Sequence, residues 1–202
     1  MKIAEIFTSL QGEGKNQGKP CLFIRLAGCN LSCRWCDTAY ARDGGTEMRC
    51  GEVLEFCWRE NPRQVCITGG EPLLQKDALL HLLISLHKRG TDIDIETNGT
   101  IAFTDLQPYA SICMDVKCPS SGETSNLSLL TTIRPQDSVK FVVGDEEDCR
   151  YAHRVMQDHP IAGECFFSPV YGADCRPLVD YILENDLPVR FQVQLHKVLG
   201  VK

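Results

Sequence analysis

Short apolar runs recur along the chain, and between most of them the apolar positions fall at helical spacing. Ile3-Ala4-Glu5-Ile6-Phe7-Thr8 alternates apolar and polar side chains and predicts an edge strand. Residues 21–27 form a continuous apolar run broken only by Arg25, the pattern of a strand buried on both faces. Further runs at 64–68, 93–96, 111–116, 139–143 and 165–168 read the same way, and 189–193 supplies a last strand. Helices are predicted over 51–60, stopped by Asn61-Pro62, and through Leu79, Leu80, Leu82, Leu83 and Leu86, stopped at Lys88-Arg89-Gly90. Two more cover 146–159, ended by Pro160, and 174–184. Residues 11–19 and 39–47 are glycine-bearing loops. Strands alternating with helices imply an α/β fold with a parallel sheet and right-handed crossovers. About six βα units are too few to close an eight-stranded barrel. With no repeat and no low-complexity linker, residues 1–202 read as one domain.

Ligands of such sheets sit at the carboxyl ends of the strands. Element order alone gathers Cys29, Cys33, Cys36, Thr68, Gly69, Gly70, Glu96, Asn98, Asp115, Lys117, Ser168 and Gln194 at that edge. The densest chemistry is Cys29-Asn30-Leu31-Ser32-Cys33-Arg34-Trp35-Cys36, a C-x3-C-x2-C loop that turns off the 21–27 strand at Gly28. Three thiolates on a short loop can hold three irons of a 4Fe–4S cluster and leave the fourth open. A zinc-thiolate protein without enzymatic activity is the alternative. A closed zinc site needs four ligands, and no obvious fourth follows at zinc-finger distance.

Composition narrows the class. The chain is 43% hydrophobic and 24% charged, ordinary for a globular protein, and its net charge of −6 argues against a nucleic-acid partner. It lacks a secretory start, and no apolar run approaches the roughly 18 residues of a membrane span, so a cytoplasmic location without membrane partners is expected. Thiols stay reduced there, so twelve cysteines are metal ligands or buried residues rather than disulfides. Cys66 and Cys165 lie in strand-like runs as core residues. Cys113 and Cys118 form a C-x4-C pair that nothing nearby completes into a second cluster site.

Other residues have two readings at this stage. Arg25 either reaches the surface or faces a pocket, where its fork suits a carboxylate. Gly69-Gly70 is either a ligand-hugging backbone or a plain turn with Pro72 near the first helical position. Residues 11–19 are a simple hairpin connection or a loop closing over a ligand. Glu96 and Lys117 read equally as solvated charges, Thr38 as a turn residue and His196 as an exposed terminal histidine.

The cysteine loop, Gly69-Gly70-Glu71-Pro72 and Glu96-Thr97-Asn98-Gly99 together resemble the motifs of the radical S-adenosylmethionine superfamily. Leu10-Gln11-Gly12-Glu13-Gly14, Cys36-Asp37-Thr38 and Gln194-Leu195-His196-Lys197 resemble, more specifically, the 7-carboxy-7-deazaguanine synthase family. The ordered matches run from residue 6 to the C-terminus. The resemblance implies a partial, open parallel βα barrel. It implies a 4Fe–4S cluster on Cys29, Cys33 and Cys36, with S-adenosyl-L-methionine on the open iron as source of a 5′-deoxyadenosyl radical. The implied reaction abstracts hydrogen from C6 of 6-carboxy-5,6,7,8-tetrahydropterin, contracts the ring, releases ammonia and regenerates the cofactor, giving a 7-deazapurine of queuosine-type biosynthesis.

Carried over residue by residue, the resemblance assigns the pterin to Leu10, Gln11, Gly12 and Glu13, to Arg25, Thr68 and Glu96, and to His196 and Lys202. It assigns S-adenosylmethionine to Gly70, Asn98, Asp115, Val116, Lys117, Ser168 and Pro169, and Mg²⁺ to Thr38 beside the substrate carboxylate. An electron donor such as flavodoxin and a homodimer are implied as partners. The competing enzyme reading is a glycyl-radical activating enzyme, which acts on a protein substrate. It would share the cluster loop and the Gly69–Pro72 motif but lack the residue 11–14 loop and the His196 segment.

Overall fold

In the computed structural model, which describes residues 1–202, the hairpin of β1 (Lys2–Leu10) and β2 (Pro20–Leu26) begins a single sheet. A two-residue strand, β3 (Thr46–Glu47), pairs outside β1. On the other side of β2 follow β4 (Gln64–Gly69), β5 (Asp92–Thr97), β6 (Ser111–Val116), β7 (Ser138–Val143), β8 (Glu164–Pro169) and β9 (Arg190–Phe191). The two pairings of β1 are antiparallel, and every pairing from β2 to β9 is parallel. The sheet's two ends do not pair, so the barrel is open, as the resemblance implies.

Strand alternation divides the sheet into two chemistries. Ile24 and Leu26, Val65 and Ile67, Ile93 and Ile95, Ile112, Met114 and Val116, Val139 and Phe141, and Phe167 all belong to one continuous apolar layer. The helices α1 (Cys50–Glu60), α2 (Lys76–His87), α3 (Glu146–Asp158) and α4 (Arg176–Glu184) cover it with Val53, Leu79, Leu82, Leu83, Leu86, Ala152, Val155 and Leu178. The intervening positions are Arg25, Thr68, Glu96, Asp115, Lys140 and Ser168, a polar face relieved by a small cluster of Cys21, Phe23 and Cys66. An apolar face needs only cover; a polar face inside a curved sheet needs partners or a ligand.

No α-helix joins β5 to β6 or β6 to β7; Phe103, Leu106, Leu129 and Leu130, the last two in a 3-10 stretch (Leu127–Thr132), seal the layer from the connecting loops. One expectation is corrected. The 189–193 strand contracts to β9: Gln192 N still donates to Phe167 O at 2.9 Å, and the ladder ends there. Gln192 makes reciprocal hydrogen bonds with Gly14 (2.7 and 3.0 Å), and Val193 O accepts from Gln17 Nε2 at 2.7 Å. A short helix, α5 (Leu195–Leu199), then follows, with Leu195 N donating to Gly12 O at 3.0 Å. Residues 11–19 and the C-terminal segment thus meet across the open side of the barrel. No helix is long and apolar enough to cross a membrane.

Candidate active site

The carboxyl ends of the parallel strands surround a cavity of about 370 Å³. Cys29, Cys33 and Cys36 line it, half-buried, on the loop that leaves β2. That loop is fixed from two directions. Beneath it, Gly70 N donates to Leu26 O at 3.2 Å and Glu71 N to Gly28 O at 2.8 Å. A β-carbon on Gly70 would stand 2.2 Å from Gly28 O, so the packing tolerates only glycine there. Beside it, Arg34 N donates to Ser121 O (3.0 Å), Ser32 N to a Glu123 carboxylate oxygen (2.6 Å) and Trp35 Nε1 to Ser120 Oγ (3.2 Å).

This arrangement fits a three-thiolate cluster. The thiols face one cavity, Leu31 N already donates to Cys29 Sγ at 3.5 Å, and Asp115 Oδ1 is buried in the same cavity without a partner. Burial pushes the Cys33 thiol up, with Lys117 opposing it. No three His, Cys, Asp or Glu side chains gather at the range of one metal ion.

Glu71 ties the next layer together. Its carboxylate, wholly buried, accepts from Leu73 N (2.9 Å), Thr97 Oγ1 (2.8 Å) and Asn98 N (2.7 Å), joining the end of β4 to the end of β5. Asn98 in turn donates to Asn30 Oδ1 on the cysteine loop at 3.0 Å, while its own Oδ1 accepts from Thr100.

Deeper in the cavity the polar face is wired in three groups. Glu96 accepts from Gln11 Nε2 at 3.3 Å and Thr68 Oγ1 at 2.9 Å; burial raises its pKa, with nearby Glu13 adding to the effect and Lys140 opposing it. Arg25 donates from Nε to Glu5 at 3.0 Å, and Glu5 also takes the Tyr40 hydroxyl and Lys202 Nζ. Glu13 pairs with Lys140 and accepts from Gln194 Nε2 at 2.6 Å. Burial opposes ionisation of Glu13, but the Lys140 ammonium outweighs it and holds the carboxyl low. His196 rests on Gly12, where a β-carbon would be 1.9 Å from Nδ1, and burial keeps the ring's pKa below its usual value. Lys197 pairs with Asp37 at 2.7 Å, linking α5 to the cysteine loop.

Residues 23–112 match the Radical SAM superfamily. Over the whole chain, the sequence is 56% identical to the 7-carboxy-7-deazaguanine synthase of Methanospirillum hungatei JF-1, covering 86% of that protein. It is 38% identical to the synthase of the same name from Thermoplasma acidophilum, covering 98% of this chain and 97% of that one. The chain belongs to the 7-carboxy-7-deazaguanine synthases. The crystal structure of QueE from Escherichia coli is similar, with a TM-score of 0.77 at 26% identity over 96% of this chain and 94% of that one. Membership of the radical S-adenosylmethionine superfamily brings a 4Fe–4S cluster and S-adenosylmethionine.

Within the synthase cavity stand Leu10, Gln11, Gly12, Glu13, Arg25, Thr68, Glu96, His196 and Lys202, with Gly70, Asn98, Asp115, Lys117 and Thr38. Val116, Ser168 and Pro169 do not line it. Val116 belongs to the apolar layer on the sheet's other face, Ser168 spends its hydroxyl on Gln192 O at 2.6 Å, and Pro169 is buried. Sequence reasoning missed Lys140, Asp37, Lys197 and Arg42, all of which line the cavity. Lys140 carried a signal: it interrupts an apolar strand as Arg25 does. Arg42, whose Nη2 donates to Cys33 O at 3.3 Å, carried none.

Proposed function

We propose that the chain converts 6-carboxy-5,6,7,8-tetrahydropterin to 7-carboxy-7-deazaguanine and ammonia. The observation that carries this reading is the shared cavity: the cluster thiols and the Gln11–Glu96–Thr68 group open into the same enclosed space. When bound, the cluster and S-adenosylmethionine supply the radical that takes hydrogen from the pterin's C6. The chain's residues bind, orient and exclude water. Glu96, with its acceptor oxygens aligned by Gln11 and Thr68, suits the ring N–H and amino edge of the pterin. Arg25 engages only its Nε, leaving the rest of the guanidinium for the substrate carboxylate.

Thr38, on the rim beside Cys36, holds Mg²⁺ that arrives with that carboxylate, because one hydroxyl is a poor magnesium site and needs substrate oxygens to complete it. His196, neutral at pH 7, seats the pterin against Gly12, and Lys202 closes the cavity over Glu5. Gly70, Asp115 and Lys117 face S-adenosylmethionine, and Asn98 acts through the loop it braces. A flavodoxin-type protein donates the electron, and the working form is a homodimer.

The test is an anaerobic assay of iron-reconstituted protein with dithionite, Mg²⁺, S-adenosylmethionine and the pterin, read by mass. Many molecules of 7-carboxy-7-deazaguanine per S-adenosylmethionine consumed is the expected result. Release of 5′-deoxyadenosine without deazaguanine would overturn the substrate assignment.

A further inference from the structure

Lys140 lies deeper than the other cations of the cavity: its side chain is 8% exposed, against 11% for Lys117 and 15% for Arg25. Its strand, β7, is buried at every position, so a methionine or isoleucine there would extend the apolar run. Buried ion pairs are poor sources of stability, and apolar replacements of similar volume are often neutral. An ammonium kept in such a place calls for another reason.

Its partners supply one. Lys140 pairs with Glu13, which belongs to the same loop as Gln11 and Gly12. On its other side Nζ is 3.7 Å from Asp115 Oδ2, the oxygen that takes Lys117 Nζ at 2.8 Å. Lys117 in turn sits over the Trp35 ring, 5.9 Å from its centroid, on the cysteine loop. A chain of alternating charge therefore runs from the 11–19 loop, through Glu13, Lys140, Asp115 and Lys117, to the cysteine loop. The two loops leave opposite ends of β2, one before it and one after, so the charged chain ties them together across the cavity.

We propose that Lys140 is a positioning residue that sets the gap between the pterin, held by the 11–19 loop, and S-adenosylmethionine, held by the Asp115–Lys117 wall. This rests on the ligand assignments proposed above. Radical transfer tolerates little error in that gap. If it opens, S-adenosylmethionine is cleaved and the adenosyl fragment takes its hydrogen from the thiol buffer, with dithionite supplying the electron. 5′-Deoxyadenosine then accumulates without product.

The test uses cluster-loaded full-length protein and the variants Lys140→Met, Lys140→Gln and Lys140→Arg. The glutamine variant keeps a donor beside Glu13 should the methionine variant fail to fold. Deazaguanine formed per 5′-deoxyadenosine is expected to fall about tenfold or more in the Met and Gln variants, with partial recovery in the Arg variant, because small misplacements cost rates of that order. A second readout needs no turnover. In unreduced wild-type protein, S-adenosylmethionine is expected to tighten pterin binding by about tenfold in calorimetry, and the Met and Gln variants lose that coupling. Product and 5′-deoxyadenosine falling together, with the binding coupling intact, would overturn the role of Lys140 alone. A wild-type protein that turns over no pterin would overturn the substrate reading and this inference with it.

Discussion

Glu71 is the member of the Gly69–Pro72 motif whose contribution can be worked from the structure. Its carboxylate is the shared acceptor of Leu73 N, Thr97 Oγ1 and Asn98 N, all within 2.9 Å, and none of its surface reaches solvent. In Glu71→Ala the Thr97 hydroxyl can turn away, but two backbone N–H groups are left buried and unpaired. At about 1–3 kcal/mol for each orphaned donor, with roughly 0.8 kcal/mol for the lost methylene, the variant loses about 3–7 kcal/mol. That is a large part of the roughly 5–15 kcal/mol that holds a domain folded. Glu71→Gln keeps the shape and one acceptor, so a single donor, Asn98 N–H, meets the amide's NH₂, and the loss is about 1–3 kcal/mol at most.

The two variants also differ from wild type in pH dependence. Burial holds the Glu71 carboxyl above the usual carboxylate range, although the hydrogen bonds from Asn98, Leu73 and Thr97 pull it down. Its folded pKa therefore exceeds the unfolded value of about 4.3. The folded state binds the extra proton in that window, so the contribution of this group is full below the unfolded pKa and is lost as pH rises through the folded one. Glutamine does not titrate. The wild type's advantage over Glu71→Gln is therefore expected to be larger near about pH 4 than near about pH 7. Urea unfolding of the metal-free protein, followed by tryptophan fluorescence and circular dichroism at both pH values, measures each difference. Glu71→Ala within about 1 kcal/mol of wild type would refute the clamp, since a single orphaned donor already costs that much. An advantage over Glu71→Gln that grows with pH would refute the buried-acid argument.

Two further predictions separate packing from chemistry. Gly12→Ala drives a β-carbon into the His196 ring, a side chain that can swing aside, so thermal stability should hold while KM for the pterin rises several-fold; Gly70→Ala meets the Gly28 carbonyl instead, so the cysteine loop must move and bound iron should fall on reconstitution. Replacing Cys29, Cys33 or Cys36 by alanine should abolish the brown chromophore and most bound iron. Cys21→Ala should keep both, because that thiol is buried in the small apolar cluster with its pKa pushed up to about 12 by burial; iron analysis of the four proteins decides it.

Much of this fold is written in local pattern. Continuous apolar runs mark buried parallel strands, and the leucines of α2 fall at helical spacing, so both are legible without knowing what they pack against. What was not legible is that Phe103 and Leu106 do a helix's covering work from the loop between β5 and β6, because two apolar residues in a loop carry no periodicity. Helix α5 was missed because none of its residues is buried, so it has no apolar stripe to detect. The cysteine loop was legible because its ligands lie within eight residues. The Glu13–Lys140 pair spans 127 positions and the Gln194–Glu13 bond 181, and no local signal links residues so far apart. Arg25 drew notice for interrupting a strand, and the same test applied to Lys140 would have found it.

Core and site are made by the same strands, and this constrains how the site can fail. Ile24 and Leu26 face the helices while Phe23 and Arg25 face the cavity; Ile95 faces out and Glu96 in; Met114 out and Asp115 in; Phe141 out and Lys140 in. A one-residue slip in any of these strands would exchange the two sets and bury Arg25, Glu96, Asp115 or Lys140 under the helices. The cost of such a burial is far greater than that of a lost contact. The apolar layer therefore does more than hold the barrel together. By fixing the register of each strand it fixes which charged groups meet inside, and the ion pairs need only adjust distances within a frame already chosen. Substitutions in the outer layer should thus act on the site through its stability as a whole, whereas substitutions on the inner face, Lys140 above all, can alter its geometry while the frame stays intact.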